Sequence, residues 1–321
     1  MSAPDLQAAL ADQLGTAVSD LVRLSGGASR ETWSLSAGGA PLILQRRRPG
    51  AADLSGAVDL EVDLLRAAAR AGVYVPRVLD SGDGDGDGDG DGFGGPWMIC
   101  ERLGGEALPK RLLHDDAYAA ARPDMARQCG AAAAGIHAID TAPFEGRLGH
   151  DEPIAQLRSI LDAYESPSAA FELGFRWLEL HPAPQRPTTV VHGDFRTGNL
   201  LMDRDGLAGV LDWELAHLGN PVEDLGWFCV RAWRFGSDQR AGGFGPVEQL
   251  LDGYRSESGL DVGVDELTWW ELLGTLRWGV ICVVQAQSHL SGASRSVELA
   301  TIGRRVSENE WDTLRLLEEL S

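Results

Sequence analysis

Three residues pose the first question. Asp194 is followed five positions later by Asn199, and thirteen positions after that by Asp212, all within VVHGDFRTGNLLMDRDGLAGVLDWE, Val190 to Glu214. Two carboxylates and an amide oxygen are hard oxygen donors, the kind that Mg²⁺ takes. Phosphoryl transfer needs a carboxylate to orient or deprotonate an attacking hydroxyl, with an Asn and a second Asp to hold Mg²⁺ on nucleotide phosphates. The plain alternative is a turn whose Asp and Asn side chains make only local hydrogen bonds. A His-Gly-Asp alone would not separate the two. The whole pattern favours a site: His-Gly-Asp, four residues, Asn, a hairpin, then an apolar strand ending in Asp.

Such a site needs elements to hold it. Val190-Val191 reads as a short apolar strand, and His192 to Asn199 as a loop. Leu200 to Met202 and Leu207 to Leu211 read as the arms of a hairpin around Asp203-Arg204-Asp205-Gly206, a favourable turn sequence. The hairpin is expected to bring Asn199 and Asp212 close together, with Asp194 projecting from the preceding loop.

Ahead of this region the pattern is mostly sheet. Residues 5–14 read as a short helix with Leu6, Leu10 and Leu14 on one face. LVRLSGGASRETWSLSA reads as strand, Gly-rich turn, strand, and GGAPLILQRRRPG as a turn and another strand. Asp53 to Ala71 has helical spacing, with Val58, Val62 and Leu65 on one side. VYVPRVLDSG and PWMICERLGG read as two more strands. The run GDGDGDGDGDG between them lacks the stacked apolar positions of repeat calcium sites and the closing Glu of an EF-hand loop. It reads as a flexible, solvated hairpin loop. Beyond residue 104 helices dominate, over about 115–139, 153–165, 169–180, 221–232, 246–257, 265–290 and 296–319. The expected fold is α+β and bilobal: a small antiparallel-sheet lobe with one helix over 1–103, and a larger, mostly helical lobe over 104–321.

Composition narrows the functions. A chain of 321 residues that is 44% hydrophobic, with ten Trp, has enough apolar material for real cores. A net charge of -20 argues against general nucleic-acid binding and against an anionic membrane surface. The N-terminal MSAPDLQAALADQLG lacks the basic start and apolar run of a secretory signal, and WGVICVVQA is too short to span a bilayer. Cys100, Cys129, Cys229 and Cys282 are scattered, so neither a zinc site nor a disulfide framework is implied, and a reduced cytoplasm is the expected setting. Of the 28 basic residues only Lys110 is a lysine.

On these motifs the chain resembles the aminoglycoside phosphotransferase-like kinases, relatives of the protein kinases, over nearly its whole length. The resemblance implies that Asp194 is the catalytic Asp and that Asn199 and Asp212 hold Mg²⁺ on ATP. It places Glu61 in the helix whose Glu pairs with a strand lysine. SGGASR resembles the phosphate-covering loop, with Gly26 and Gly27 in it and Ser29 as a polar contact. MICERL resembles the hinge, where the backbone of Glu101 and Leu103 would bind adenine. Asp224 in PVEDLG resembles the Asp that braces the catalytic loop. The run HGDFRTGNLL…VLDWELAHLGNP…DLGW…RAWRFG is similar to the kinase-like domains fused ahead of some acyl-CoA dehydrogenases. No dehydrogenase portion is present in this chain.

The strand lysine of that family is absent, since Lys110 lies beyond the hinge. Counting back from Pro49-Gly50 puts Gln45 at its position, with Arg46 and Arg47 beside it. An Arg can hold phosphates with a bidentate fork, whereas Gln brings no charge. Alternation sets Arg46 on one face and Arg47 with Gln45 on the other, without saying which face points inward. Other residues carry weaker signals. His192 fits a loop-bracing role better than a metal site with His217. Trp213, Trp227 and Trp233 are each core residues before they are a substrate wall. Arg231 and Arg234 are as consistent with solvation as with an anionic substrate. The expected function is an ATP- and Mg²⁺-dependent phosphotransferase acting on a small-molecule hydroxyl, of an aminoglycoside-like compound or a hydroxyacyl-CoA. The alternative, prompted by the missing lysine, is a nucleotide-binding pseudokinase with a sensing or scaffolding role. Nothing in the sequence fixes the oligomeric state.

Overall fold

A capping box starts the first helix. Ser2 Oγ accepts from the Asp5 N–H at 3.4 Å, and the Asp5 carboxylate accepts from the Ser2 N–H at 3.2 Å. Helix α1 (Ala3–Leu14) then ends at Gly15, whose φ of +62° is the left-handed stop that glycine tolerates best. The structure is a computed structural model that describes residues 2–24, 30–47, 58–83, 93, 95–149 and 153–321, and of Arg47 the backbone alone. Gly26, Gly27, Ser29, the Arg47 side chain, Arg48 and residues 84–92 of the Asp-Gly run lie outside the described residues.

The chain divides into two compact units. The first takes Met1–Glu106, Leu201–Asp203 and Ala208–Leu215, and the second takes Ala107–Leu200, Arg204–Leu207 and Ala216–Ser321. The sequence places the whole hairpin in the later lobe, whereas the contacts put most of it with the first unit. Backbone bonds explain the difference. Glu106 and Met202 exchange N–H···O bonds of 2.8 and 2.9 Å, and the Val210 N–H donates to Tyr74 O at 2.8 Å.

In the first unit β1 (Val18–Arg23), β2 (Arg30–Ala37) and β3 (Ala40–Arg47) precede helix α2 (Val58–Arg70), and β4 (Val78–Gly82) and β5 (Trp97–Glu101) follow it. They form one antiparallel sheet in the order β1-β2-β3-β5-β4. Cross-strand pairing of Leu35 with Leu42, Trp33 with Leu44 and Glu31 with Arg46 puts these six on one face. Leu6 and Leu10 of α1 close that face into a core with Leu35, Leu42, Leu44, Phe93, Trp97 and Ile99. The opposite face carries Arg30, Thr32, Gln45, Met98 and Cys100, and α2 covers it with Glu61 among its buried residues.

The second unit begins with α3 (Pro109–His114), α4 (Arg122–His137), α5 (Pro153–Ala163) and α6 (Ala169–Leu180). Short strands follow: β6 (Thr189–Val191), the hairpin arms β7 (Leu200–Met202) and β8 (Leu207–Val210), and β9 (His217–Gly219), which pairs with β6. Then come α7 (Val222–Cys229), α8 (Val247–Ser258), α9 (Val264–Leu290), α10 (Val297–Gly303) and α11 (Val306–Glu319). The helices α4 and α8 cross at glycines. A Cβ on Gly130 would sit 2.0 Å from Leu250 O, and one on Gly253 2.0 Å from Arg127 O. At 27 residues α9 is long and apolar enough to cross a membrane, more than the nine-residue stretch the sequence reading considered, yet 78% of its most apolar window is buried in the protein. It is the unit's central core helix, in contact with α5, α6, α7, α10 and α11. All four cysteines are free thiols and buried, Cys100 in the first unit and the other three in the second.

Candidate active site

The loop from His192 to Asn199 follows β6 and is braced from beneath by α7. Asp224, fully buried, accepts the His192 N–H at 2.8 Å on Oδ2 and the Gly193 N–H at 3.0 Å on Oδ1. The His137 ring bonds the same carboxylate at 3.1 Å through Nε2 and reaches the Tyr254 hydroxyl at 3.0 Å through Nδ1. Burial alone would raise the Asp224 pKa. The His137 contact and the backbone donors outweigh it and hold the carboxyl below its usual range. Gly193 turns the chain at a φ of +77°, which a side chain would strain. The buried His192 ring then accepts the Asp194 N–H on Nδ1 at 3.2 Å, a bracing contact.

These braces present the Asp194 carboxylate. Oδ1 accepts the Trp227 indole N–H at 2.9 Å, and Oδ2 accepts Asn199 Nδ2 at 2.6 Å. Arg196 Nε straddles both oxygens at 2.9 and 3.1 Å, and its guanidinium lies 4.6 Å from the centroid of the Trp233 ring. Three donors thus make four contacts with the carboxylate, two on each oxygen, and fix its orientation. Asn199 also donates to the Asp194 carbonyl at 3.0 Å. With its NH₂ turned to Asp194, the amide presents Oδ1, a hard oxygen donor.

Asp212 belongs to the first unit, at the end of β8. It is exposed and left-handed, with φ +67°, a strained backbone for a residue other than glycine. Trp213 beside it is buried and donates to Val210 O at 3.3 Å. An amide oxygen and a carboxylate fit Mg²⁺ chemically. Among the described residues no group of three or more His, Cys, Asp or Glu side chains is gathered around a metal position. The His217 ring is engaged by Glu223 at 3.2 Å.

In the first unit the structure corrects the expected role of Arg46 and identifies the partner of Glu61 that the sequence leaves open. Arg46 does not face the Glu61 side of the sheet. It lies on the α1 face, buried, where Glu31 takes its Nε at 3.0 Å and its Nη2 at 2.7 Å, and Phe93 O takes its Nη1 at 3.3 Å. The partner of Glu61 is Arg30 on β2, and both residues are buried. Burial pushes the Glu61 carboxyl above its ordinary pKa, against the pull of Arg30 and with a further push from Glu214. At the expected hinge the Glu101 N–H is committed to Arg77 O at 3.0 Å. Leu103 is half-buried, and its approach to Gly209 is so close that a Cβ there would lie 2.6 Å from Leu103 Cδ1.

Of the two Arg that the sequence offered to an anionic substrate, Arg234 is committed to structure. It ion-pairs with Glu271, a carboxylate only 1% exposed on α9, which also takes Arg240 Nε at 2.6 Å. Arg231 stays exposed, 3.7 Å from Asp312. Sequence reasoning missed Arg196 and Trp227 as polar contributors, whereas Arg30 follows from it as the alternative source of charge should the Arg residues of β3 not serve. For Trp227 a signal existed: Asp224 and Trp227 are three apart on one helix, so both side chains share a face and reach the same loop.

A family described as "Phosphotransferase enzyme family" matches residues 20–260. Among curated proteins, mouse "Acyl-CoA dehydrogenase family member 10" is 28% identical over 229 residues, 66% of this chain. The match spans 20% of that much longer relative. Among solved structures, a candidate aminoglycoside phosphotransferase from Ralstonia eutropha superposes with a TM-score of 0.76 at 20% identity, covering 99% of this chain and 98% of that one. Aminoglycoside phosphotransferase APH(4)-Ia, in complex with AMP-PNP and hygromycin B, gives a TM-score of 0.62 at 18% identity, covering 98% of each chain. The fold is the kinase-like α+β fold of these proteins.

Proposed function

The chain belongs to the phosphotransferase enzyme family, and from that premise we propose that it moves the γ-phosphate of ATP to a hydroxyl group of a small molecule. One observation carries the reading. Asp194 is a carboxylate whose orientation is fixed by Trp227, Arg196 and Asn199 on a loop that Asp224 braces. Such a group orients the acceptor hydroxyl and takes its proton as the new P–O bond forms and the bond from the γ-phosphorus to the bridging oxygen breaks, with ADP leaving. Asn199 and Asp212 would hold Mg²⁺, which offsets the charge on the phosphates. The backbone of Glu101 and Leu103 would receive the adenine. The complex of APH(4)-Ia with an ATP analogue supports ATP as the donor.

The acceptor is a neutral or cationic hydroxyl compound before it is an acyl-CoA, since Arg234 and Arg240 already answer Glu271. The relation to acyl-CoA dehydrogenase family member 10 keeps hydroxyacyl-CoAs in the test. The experiment is ATP consumption across amino sugars, hydroxylated metabolites and hydroxyacyl-CoAs, with mass spectrometry of the product. One compound gains a phosphoryl group with the wild type and not with Asp194→Asn. Equal turnover by that variant removes Asp194 from the chemistry. ATP binding with no phosphorylated product across the panel favours the pseudokinase alternative.

A further inference from the structure

We propose that Arg30 on β2 supplies the fixed positive charge for the nucleotide phosphates that a lysine of β3 would otherwise supply, with Glu61 as its positioning carboxylate. The inference rests on the phosphotransferase reading above. The first unit holds no lysine, because Lys110 is the chain's only one and belongs to the second unit. On β3, Arg46 is turned to the α1 face and committed to Glu31 and Phe93 O. Gln45 shares the Glu61 side of the sheet but carries no charge.

Arg30 shares that side too, by its register opposite Arg47. It is 7% exposed, and its Nη1 is the group that meets Glu61 from α2. Its Nη2 is buried with no hydrogen-bond partner among the described residues. The Gln45 Oε1 on the same face is buried and unpartnered in the same sense. A buried guanidinium N–H without an acceptor is costly, and an anionic oxygen removes that cost. Glu61 fixes one limb of the fork, so the other limb is held in place for a ligand. Position in the chain agrees: Arg30 directly follows Ser25–Ser29, the segment that resembles a phosphate-covering loop.

The test measures binding without turnover. Isothermal titration compares AMP-PNP with adenosine for wild type, Arg30→Gln, Arg46→Gln and the double variant Arg30→Gln/Gln45→Lys. The expected result is a loss of about tenfold or more in AMP-PNP affinity for Arg30→Gln, the scale of a lost charge-assisted hydrogen bond. Adenosine affinity holds, Arg46→Gln binds AMP-PNP as wild type does, and Lys at position 45 restores much of what Arg30→Gln loses. Equal AMP-PNP affinity in wild type and Arg30→Gln overturns the assignment while leaving the phosphotransferase reading intact. A wild type that binds neither AMP-PNP nor ATP overturns that reading instead. Should Arg30→Gln fail to fold, the guanidinium ¹⁵N–¹H signals of Arg30 in the wild type decide. They shift on adding AMP-PNP and not adenosine, and their invariance overturns the proposal.

Discussion

The Trp227 indole donates its N–H to Asp194 Oδ1 at 2.9 Å, tying the residue proposed to receive the acceptor's proton to the third turn-position beyond the loop's own brace, Asp224. One helix therefore sets both the loop's backbone and its carboxylate. Trp227→Phe keeps an aromatic ring near Arg277 and Trp233 and removes only this donor. A hydrogen bond to a charged group is worth about 1.5 kcal/mol or more, so turnover falls about tenfold. Steady-state kinetics with an identified acceptor checks this, and ATP affinity stays near wild type.

Asp212→Gly separates stability from function. The left-handed backbone at φ +67° is natural for glycine and costs about 1 kcal/mol for an aspartate. The substitution relieves that strain while losing the side chain's own contacts, so denaturant unfolding changes by less than about 1 kcal/mol. Mg²⁺-dependent turnover disappears. A variant both well folded and as active as wild type shows that Asp212 is not a metal ligand.

Asp224 predicts a pH dependence. Its folded pKa lies below the unfolded value of about 3.9. The stability it contributes is therefore complete above that value and is lost as pH falls through the lower folded pKa. Asp224→Asn cannot satisfy two backbone N–H groups and His137 together, and it costs about 3 kcal/mol at neutral pH. Melting temperatures from pH 7 to 3 report both effects. The wild type loses its advantage over the variant in the acid range, and a constant gap across it would refute the assignment.

Gly130→Ala tests the helix crossing. Its new methyl would meet Leu250 O at 2.0 Å, and backbone cannot swing aside as a flexible side chain can. The two helices must separate, at a cost of about 2 kcal/mol. Chemical denaturation measures it. A neutral result means that α4 and α8 pass farther apart than the structure places them.

Much of the scaffold was legible from spacing. The helix expected over 169–180 is Ala169–Leu180, and the hairpin arms fall where the turn chemistry puts them. Other boundaries failed for local reasons. The helix expected over 296–319 is two, because the chain breaks at Arg304 and Arg305 after Gly303, which approaches Ala286 so closely that a Cβ would lie 2.6 Å away. The stretch expected as one helix over 115–139 begins with a separate short turn, and α4 starts only at Arg122 with a proline in its first turn. The strands β6 and β9, three residues each, are too short for any alternation to register.

The site was legible where its chemistry is local and opaque where it depends on which face a residue takes. Asp194 and Asn199, five positions apart in one loop, meet at 2.6 Å, a local contact that the motif brackets without specifying. The strand Pro41–Arg46 alternates apolar residues on both faces up to Leu44, so its pattern could not say whether Gln45 or Arg46 points to α2. Pairing with β2 decides it, and that register is a property of the folded sheet. Arg30 and Glu61 are 31 positions apart, and no local periodicity links them.

The four buried thiols give this protein a built-in clock for its own opening. Burial pushes Cys100 and Cys282 up to about 12 and raises Cys129 and Cys229 as well, so the reactive thiolate is scarce while the protein is closed. Cys100 sits in one unit and the other three in the other. Pulse alkylation with peptide-level readout would time the breathing of each unit separately, in the unlabelled wild-type chain and without an engineered probe.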